Sequence, residues 1–206
     1  MALSKEQQKQ LTPSLALKEL KEGHQRFING TPLKLSTSLL INQTAKAQFP
    51  KAIVVSCIDS RVLVEQIFDQ NIGDIFVARV AGNFINNDIL ASIEYACIVA
   101  QSPLVIVLGH EGCGAVSSAC DGVKLGHITE MLKAITPAIE DAQKISDEPF
   151  NSSNSSYVTS VTEANVLLNL NKITQKSQLL KERIENGQLA LCGGVYQIKD
   201  GTINWL

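Results

Sequence analysis

Apolar residues fall along this chain in two rhythms. Three short runs, "KAIVVSC" at 51–57, "DIFVARV" at 74–80 and "PLVIVLGH" at 103–110, are continuous and β-branched, the pattern of strands buried on both faces. Elsewhere the apolar spacing is helical. "NDILASIEYACIVAQS" turns Leu90, Ile93, Ala96 and Ile98 inward. "GAVSSACDG" predicts a helix directly after Cys113, and "HITEMLKAITPAIEDA" predicts one or two more, broken near Pro137. The polar stretch 146–156 reads as a surface loop, and two helical pieces follow, the second ending at Gly187. Near the start, "LTPSLALKELKEGHQRFINGTP" predicts a helix capped by Thr12, with Pro13 in its first turn and Gly30 near its stop. Its stripe is Leu17, Leu20, His24, Phe27 and Ile28, and His24 reads as a packed histidine. If this helix stands outside the main core, a second subunit is one candidate to cover it. The end of the chain, "QLALCGGVYQIKDGTINWL", reads as a strand, a turn and a short terminal strand, a hairpin at the sheet edge.

Strands alternating with helices indicate an α/β fold with a mainly parallel sheet flanked by helices. The expected organisation is a single domain over 1–206: an N-terminal helical arm (1–47) and an α/β core (48–206) with an antiparallel C-terminal edge strand. Neither an internal repeat nor a low-complexity tract interrupts it.

Charge and composition narrow the function. The 18 basic and 20 acidic residues give a net charge of -2 with no long block of either sign, which argues against nucleic-acid and anionic-membrane surfaces. No apolar stretch reaches the roughly 18 residues of a membrane span, and the start "MALSKEQQKQ" is too polar for a signal peptide, so a cytoplasmic location is expected. The five cysteines are odd in number and widely spaced. In a reducing compartment they are free thiols or metal ligands, not a disulfide framework.

Two pairs of residues carry the chemistry. Cys57 and Asp59 follow the first apolar run, and His110 and Cys113 follow the third. Parallel strands bring their carboxyl ends to one edge of a sheet, so the pairs converge although about fifty residues separate them. Taken singly, each thiol could be a buried apolar residue and His110 a packed core histidine. Together, two thiolates, an imidazole and a carboxylate favour Zn2+ over Mg2+ or Ca2+. Arg61 lies two residues after Asp59, within reach of a bidentate grip on that carboxylate. Zn2+ with two thiolates is neutral; keeping Asp59 as well would oppose ionisation of an added water. Releasing Asp59 to Arg61 leaves a neutral three-ligand set with a vacancy, the requirement for a metal-hydroxide mechanism.

The chain resembles the β-class carbonic anhydrases in "CIDSR" at 57–61, "GDIFVARVAGN" at 73–83, "SIEYA" at 92–96 and "GHEGCGAV" at 109–116. The early "GHQRFINGT" and the closing "GGVYQIKDGTINWL" extend the likeness over residues 12–206. The resemblance implies reversible hydration of carbon dioxide to bicarbonate and a proton, with one Zn2+ per chain. Cys57, His110 and Cys113 would hold the metal, with Asp59 as a fourth ligand in a resting form and paired to Arg61 in the active one. It further implies a four-stranded parallel core extended by an antiparallel strand, and an intimate homodimer, alone or as the unit of a higher homo-oligomer, with the cleft near the interface. Gln48, Phe76, Tyr95 and the backbone N–H of Gly114 would bind substrate, as in the plant-like, constitutively open branch. The branch that bicarbonate switches off uses a tryptophan, and the only one here, Trp205, is at the far end of the chain.

Two positions depart from the family pattern. Val80 follows Arg79 where asparagine is usual, and Glu111 stands between His110 and Cys113, either tuning His110 or facing solvent. Proton export is less legible: His127 is a weak shuttle candidate beside buffer or a water chain. Two other functions compete: hydrolysis of carbonyl sulfide or carbon disulfide at the same metal, and a non-catalytic, zinc-stabilised structural role. A nucleotide-binding protein is disfavoured because no Gly-x-Gly-x-x-Gly loop follows any predicted strand.

Overall fold

A computed structural model describes residues 2–206. Its strands β1 (Ala52–Ser56), β2 (Ile75–Arg79), β3 (Leu104–His110), β4 (Ala190–Tyr196) and β5 (Ile203–Trp205) form one sheet in the order β2-β1-β3-β4-β5. The first four are parallel neighbours, and β5 runs antiparallel to β4. This is the expected parallel core closed by a terminal hairpin.

Alternation along the strands sorts the core into two faces. Ile53, Val55, Val105, Val107 and Val195 point to one side, where α5 (Asn87–Glu94), α9 (Ser155–Lys176) and α10 (Gln178–Glu185) pack. Ala52, Val54, Leu104, Ile106 and Leu108 point to the other, covered by α2 (Pro13–Ile28) and the short α4 (Val64–Ile67). A third apolar cluster lies beyond the carboxyl ends of the strands. There α6 (Gly114–Cys120), α7 (Gly126–Leu132) and α8 (Thr136–Gln143) meet the first half of α9 around Ile135, Tyr157 and Val161.

Three details differ from the sequence reading. All five residues of β2 are only half-buried, whereas β1 and β3 are fully buried; β2 is an edge strand, which a continuous apolar run does not reveal. Helix α2, capped by Thr12 as expected, does not stand apart from the core. It buries Ala16 and Leu20 in the core on its own face of the sheet, sets Gly23 and His24 against the Ile67–Phe68 backbone at the end of α4, and leaves Ile28 exposed, a face rotated from the expected stripe. Helix α5 continues through a π-helical turn, Tyr95–Val99, which shifts the phase of the inward face. Leu90, Ile93 and Ala96 are buried as expected, but Cys97 joins them and Ile98 is half-buried.

Within the expected helical arm lie two further short helices that the sequence reading did not single out, α1 (Lys5–Gln10) and α3 (Thr37–Thr44). Ser4 and Gln7 form a reciprocal capping box at α1. The buried Gln8 amide then donates to the carbonyls of Pro50 and Ala100, pinning α1 to the amino edge of the sheet. Among the described residues, no helix is long and apolar enough to cross a membrane.

Candidate metal centre

At the carboxyl edge of the sheet the two sequence pairs meet. Cys57 is the first residue after β1, His110 is the last of β3, and Cys113 is the N-cap of α6. One donor atom from each lies within 4.8 Å of the others. The two sulfurs are 3.9 Å apart and free, close to the edge of about 3.8 Å expected for two thiolates at 2.3 Å on a tetrahedral zinc. All three side chains are buried, and both cysteines belong to the third apolar cluster with Val116 and Ile135.

Electrostatics favour a cation at this point. The Nδ1 of His110 lies 2.9 Å from the Glu111 carbonyl. A carbonyl only accepts, so Nδ1 carries the proton and Nε2 presents a lone pair. That Nε2 is buried with no hydrogen-bond partner among the described residues, a cost that ligation removes. The Cys57 thiol is drawn well below its ordinary range by the adjacent Cys113 sulfur, whereas Cys113 is pushed up by Cys57 and by burial, which favours keeping its proton. A divalent cation taking both sulfurs displaces that proton. Two sulfurs and one imidazole nitrogen fit Zn2+ and do not fit a hard, oxygen-seeking ion.

Asp59 is beside this cluster and outside it. Arg61 holds the carboxylate in a fork, Nε to Oδ1 at 2.9 Å and Nη2 to Oδ2 at 2.8 Å, with its backbone N–H adding a third donor at 3.0 Å. This grip holds the Asp59 carboxyl well below the usual carboxylate range. Oδ2 still approaches His110 Nε2 to 3.9 Å. One carboxylate thus faces the cation on one side and the donor set on the other.

Several residues that sequence reasoning left without a role at the site hold it in place. Arg79, at the end of β2, donates from Nε to the Cys57 carbonyl at 2.9 Å and from Nη2 to the Asp59 carbonyl at 2.7 Å, clamping the loop that carries both side chains. The N–H of Gly82 points at the Cys57 sulfur at 3.4 Å. Gly82 has φ +78°, and a Cβ there would meet Ile135 at 2.8 Å, so only glycine fits comfortably. Glu111 turns its carboxylate away, accepting from the Lys199 N–H at 3.2 Å, while its backbone carbonyl orients His110.

The expected substrate residues divide. Gly114, exposed, follows Cys113 and stays with the cluster. Phe76 and Tyr95 meet edge-to-face with centroids 6.3 Å apart. They line a groove along β2 and α5 that reaches the cluster only through Arg79. Gln48 is exposed at the amino edge of the sheet, beside Phe49, Pro103 and Gln188. Within one chain, therefore, these three side chains do not converge on the sulfurs. His127 is exposed, and His24 is packed as expected, its Nδ1 donating to the Ile67 carbonyl at 3.0 Å.

Comparison with known proteins agrees with this geometry. A family model described as carbonic anhydrase matches residues 52–203. Carbonic anhydrase 2 of Mycobacterium tuberculosis (strain ATCC 25618 / H37Rv) is 36% identical over 195 residues, covering 92% of this chain and 90% of that protein. A carbonic anhydrase of Mycolicibacterium smegmatis is 36% identical over 197 residues, covering 93% and 92%. The solved β-carbonic anhydrase CcaA superposes with a TM-score of 0.73 at 28% identity, covering 92% of this chain and 94% of that one. Sequence, sheet topology and likeness to these proteins lead to one assignment: the chain belongs to the β-carbonic anhydrase family.

Proposed function

We propose that the protein catalyses the reversible hydration of carbon dioxide to bicarbonate and a proton, with one Zn2+ per chain held by Cys57, His110 and Cys113. The observation that carries this reading is the separation of roles at the strand ends: three soft donors within 4.8 Å of one another, and a carboxylate beside them held back by arginine. Zn2+ bound to such a set supplies a Lewis acid that makes water a nucleophile near neutral pH. The two thiolates balance the charge of the metal, and the buried setting strengthens every interaction inside it. Asp59, fixed by Arg61, accepts a hydrogen bond from the reacting water and directs its lone pair toward the carbon of carbon dioxide. Arg79 and the Gly82 N–H keep Cys57 in register with His110. In a resting form, Asp59 would leave Arg61 and could serve as a further ligand beside Cys57, His110 and Cys113.

The substrate pocket is completed by a second copy of the chain. Half-buried β2 is an open sheet edge, and Tyr95 and Val99 next to it are 57% and 66% exposed, a combination that soluble proteins normally cover. A homodimer through this face would bring Phe76 and Tyr95, as an apolar wall, and Gln48, as a donor to bicarbonate, toward a neighbouring metal cluster. Five free cysteines suit a reducing compartment, the cytoplasm.

Stopped-flow measurement of carbon dioxide hydration, paired with metal analysis, tests the proposal. One zinc per chain and metal-dependent proton release are expected, with Cys57→Ser and Cys113→Ser losing both. Sulfide release from carbonyl sulfide exceeding proton release from carbon dioxide would assign the site to the sulfur substrates. Bound zinc with neither activity would make it structural.

A further inference from the structure

Helix α9 carries two asparagines in the middle of its core-facing stripe. Asn165 and Asn169 are both 0% exposed, between the apolar Val161, Val166 and Ile173. Asparagine is a poor helix former, and a buried amide is costly unless its hydrogen bonds are made. Here they are made in one direction. The Ile85 N–H donates to Asn169 Oδ1 at 2.8 Å, Asn169 Nδ2 donates to Asn165 Oδ1 at 3.0 Å, and Asn165 Nδ2 donates to the Gly82 carbonyl at 2.9 Å. The i,i+4 spacing stacks the two amides on one helix face, and each fixes the orientation of the other. Both ends of the relay land on the strap 80–86 between β2 and α5. The Gly82 N–H on that strap faces the Cys57 sulfur at 3.4 Å.

We propose that Asn165 and Asn169 are positioning residues for the metal centre: they set the strap so that the Gly82 N–H meets the Cys57 sulfur. The inference rests on Cys57 being a metal ligand, as above. A donor on a ligating thiolate tunes its basicity, and partners one step removed from a ligand commonly change metal affinity by about 10- to 100-fold when lost. Asn165 acts directly on Gly82, and Asn169 acts through Asn165 and Ile85.

Zinc affinity, measured by chelator competition, and the sulfur-to-cobalt charge-transfer absorption of the Co2+-loaded protein test this in full-length Asn165→Ala, Asn165→Asp and Ile173→Ala. Asn165→Asp keeps shape and the acceptor toward Asn169 but removes the donor to Gly82. Both Asn165 variants are expected to bind zinc about 10- to 100-fold more weakly and to shift the charge-transfer band. Ile173→Ala, a cavity on the same stripe, should lower Tm and leave both readouts in place. Folded Asn165 variants with unchanged affinity and band would overturn the proposal. So would Ile173→Ala moving both equally, or failure of both Asn165 variants to fold, which would assign the pair to stability alone. Wild-type protein that takes up no cobalt would refute the metal reading itself, and this inference with it.

Discussion

Replacing Gly82 with alanine tests whether the strap is as tightly seated as the structure shows. The backbone there has φ +78°, and a new Cβ would stand 2.8 Å from Cδ1 of the fully buried Ile135 and 3.3 Å from Cβ of Ala115. An L-residue in the left-handed region costs about 1–2 kcal/mol. Forcing the tip of Ile135 off its rotamer adds about 0.5–1.5 kcal/mol. The sum, roughly 1.5–3.5 kcal/mol, corresponds to a fall in Tm of about 3–14 °C for a chain of this size. Gly122 is the yardstick: its φ is +64° and nothing lies within 4 Å of its added Cβ, so Gly122→Ala carries only the backbone cost. Thermal melting followed by circular dichroism should therefore rank Gly82→Ala below Gly122→Ala. Zinc competition should show weakened binding in Gly82→Ala alone, because any relief of the clash turns the Gly82 N–H away from Cys57. Equal melting of the two variants would refute the packing of the strap against Ile135. Unchanged zinc affinity in Gly82→Ala would refute the role of its N–H.

Three further outcomes follow from other parts of the molecule. In Gly23→Ala the added Cβ would sit 1.9 Å from the backbone carbonyl oxygen of Phe68, the C-cap residue of α4, which no side-chain shift relieves, so α2 must move away from the end of α4; a loss of about 3 kcal/mol or more, read by urea denaturation, is expected, and wild-type stability would contradict the docking of α2 on α4. Burial lowers the pKa of His24, so the folded state keeps it neutral while the unfolded chain takes up a proton below about pH 6.5; the stabilisation is complete above that pH and lost as pH falls below it, so urea midpoints should drop from pH 7.5 to pH 5 less steeply in His24→Gln than in wild type, and parallel curves would count against it. Tyr95→Glu places a charge on the exposed face beside β2, and sedimentation should show smaller assemblies with hydration activity reduced; an unchanged assembly would rule out this face as the interface.

The fold was legible where local pattern and burial agree. β1 and β3 are buried on both faces and read as uninterrupted apolar runs; β2 reads the same, and only tertiary placement makes it an edge. The capping box from Ser4 to Gln7 is a signal that could have found α1, whereas α3, with only Leu40 buried, has little periodicity to find. At the site, Cys57, His110 and Cys113 were legible because strand ends gather chemistry at one edge, and Asp59 with Arg61 because two residues of spacing suffice for the grip. Arg79, Gly82, Asn165 and Asn169 act through backbone groups distant in sequence, and no residue pattern announces such contacts. Gln48, Phe76 and Tyr95 were named through family resemblance, and one chain alone does not bring them to the sulfurs.

The most direct test of the central claim is carbon dioxide hydration by Arg61→Ala at known zinc content. Arg61 is exposed and touches no donor of the cluster, but it supplies both side-chain hydrogen bonds that hold Asp59 aside. The account predicts one zinc per chain retained and turnover lost by about 100-fold or more, in the range that misplaced orienting groups cost. Full turnover with zinc in place would contradict it.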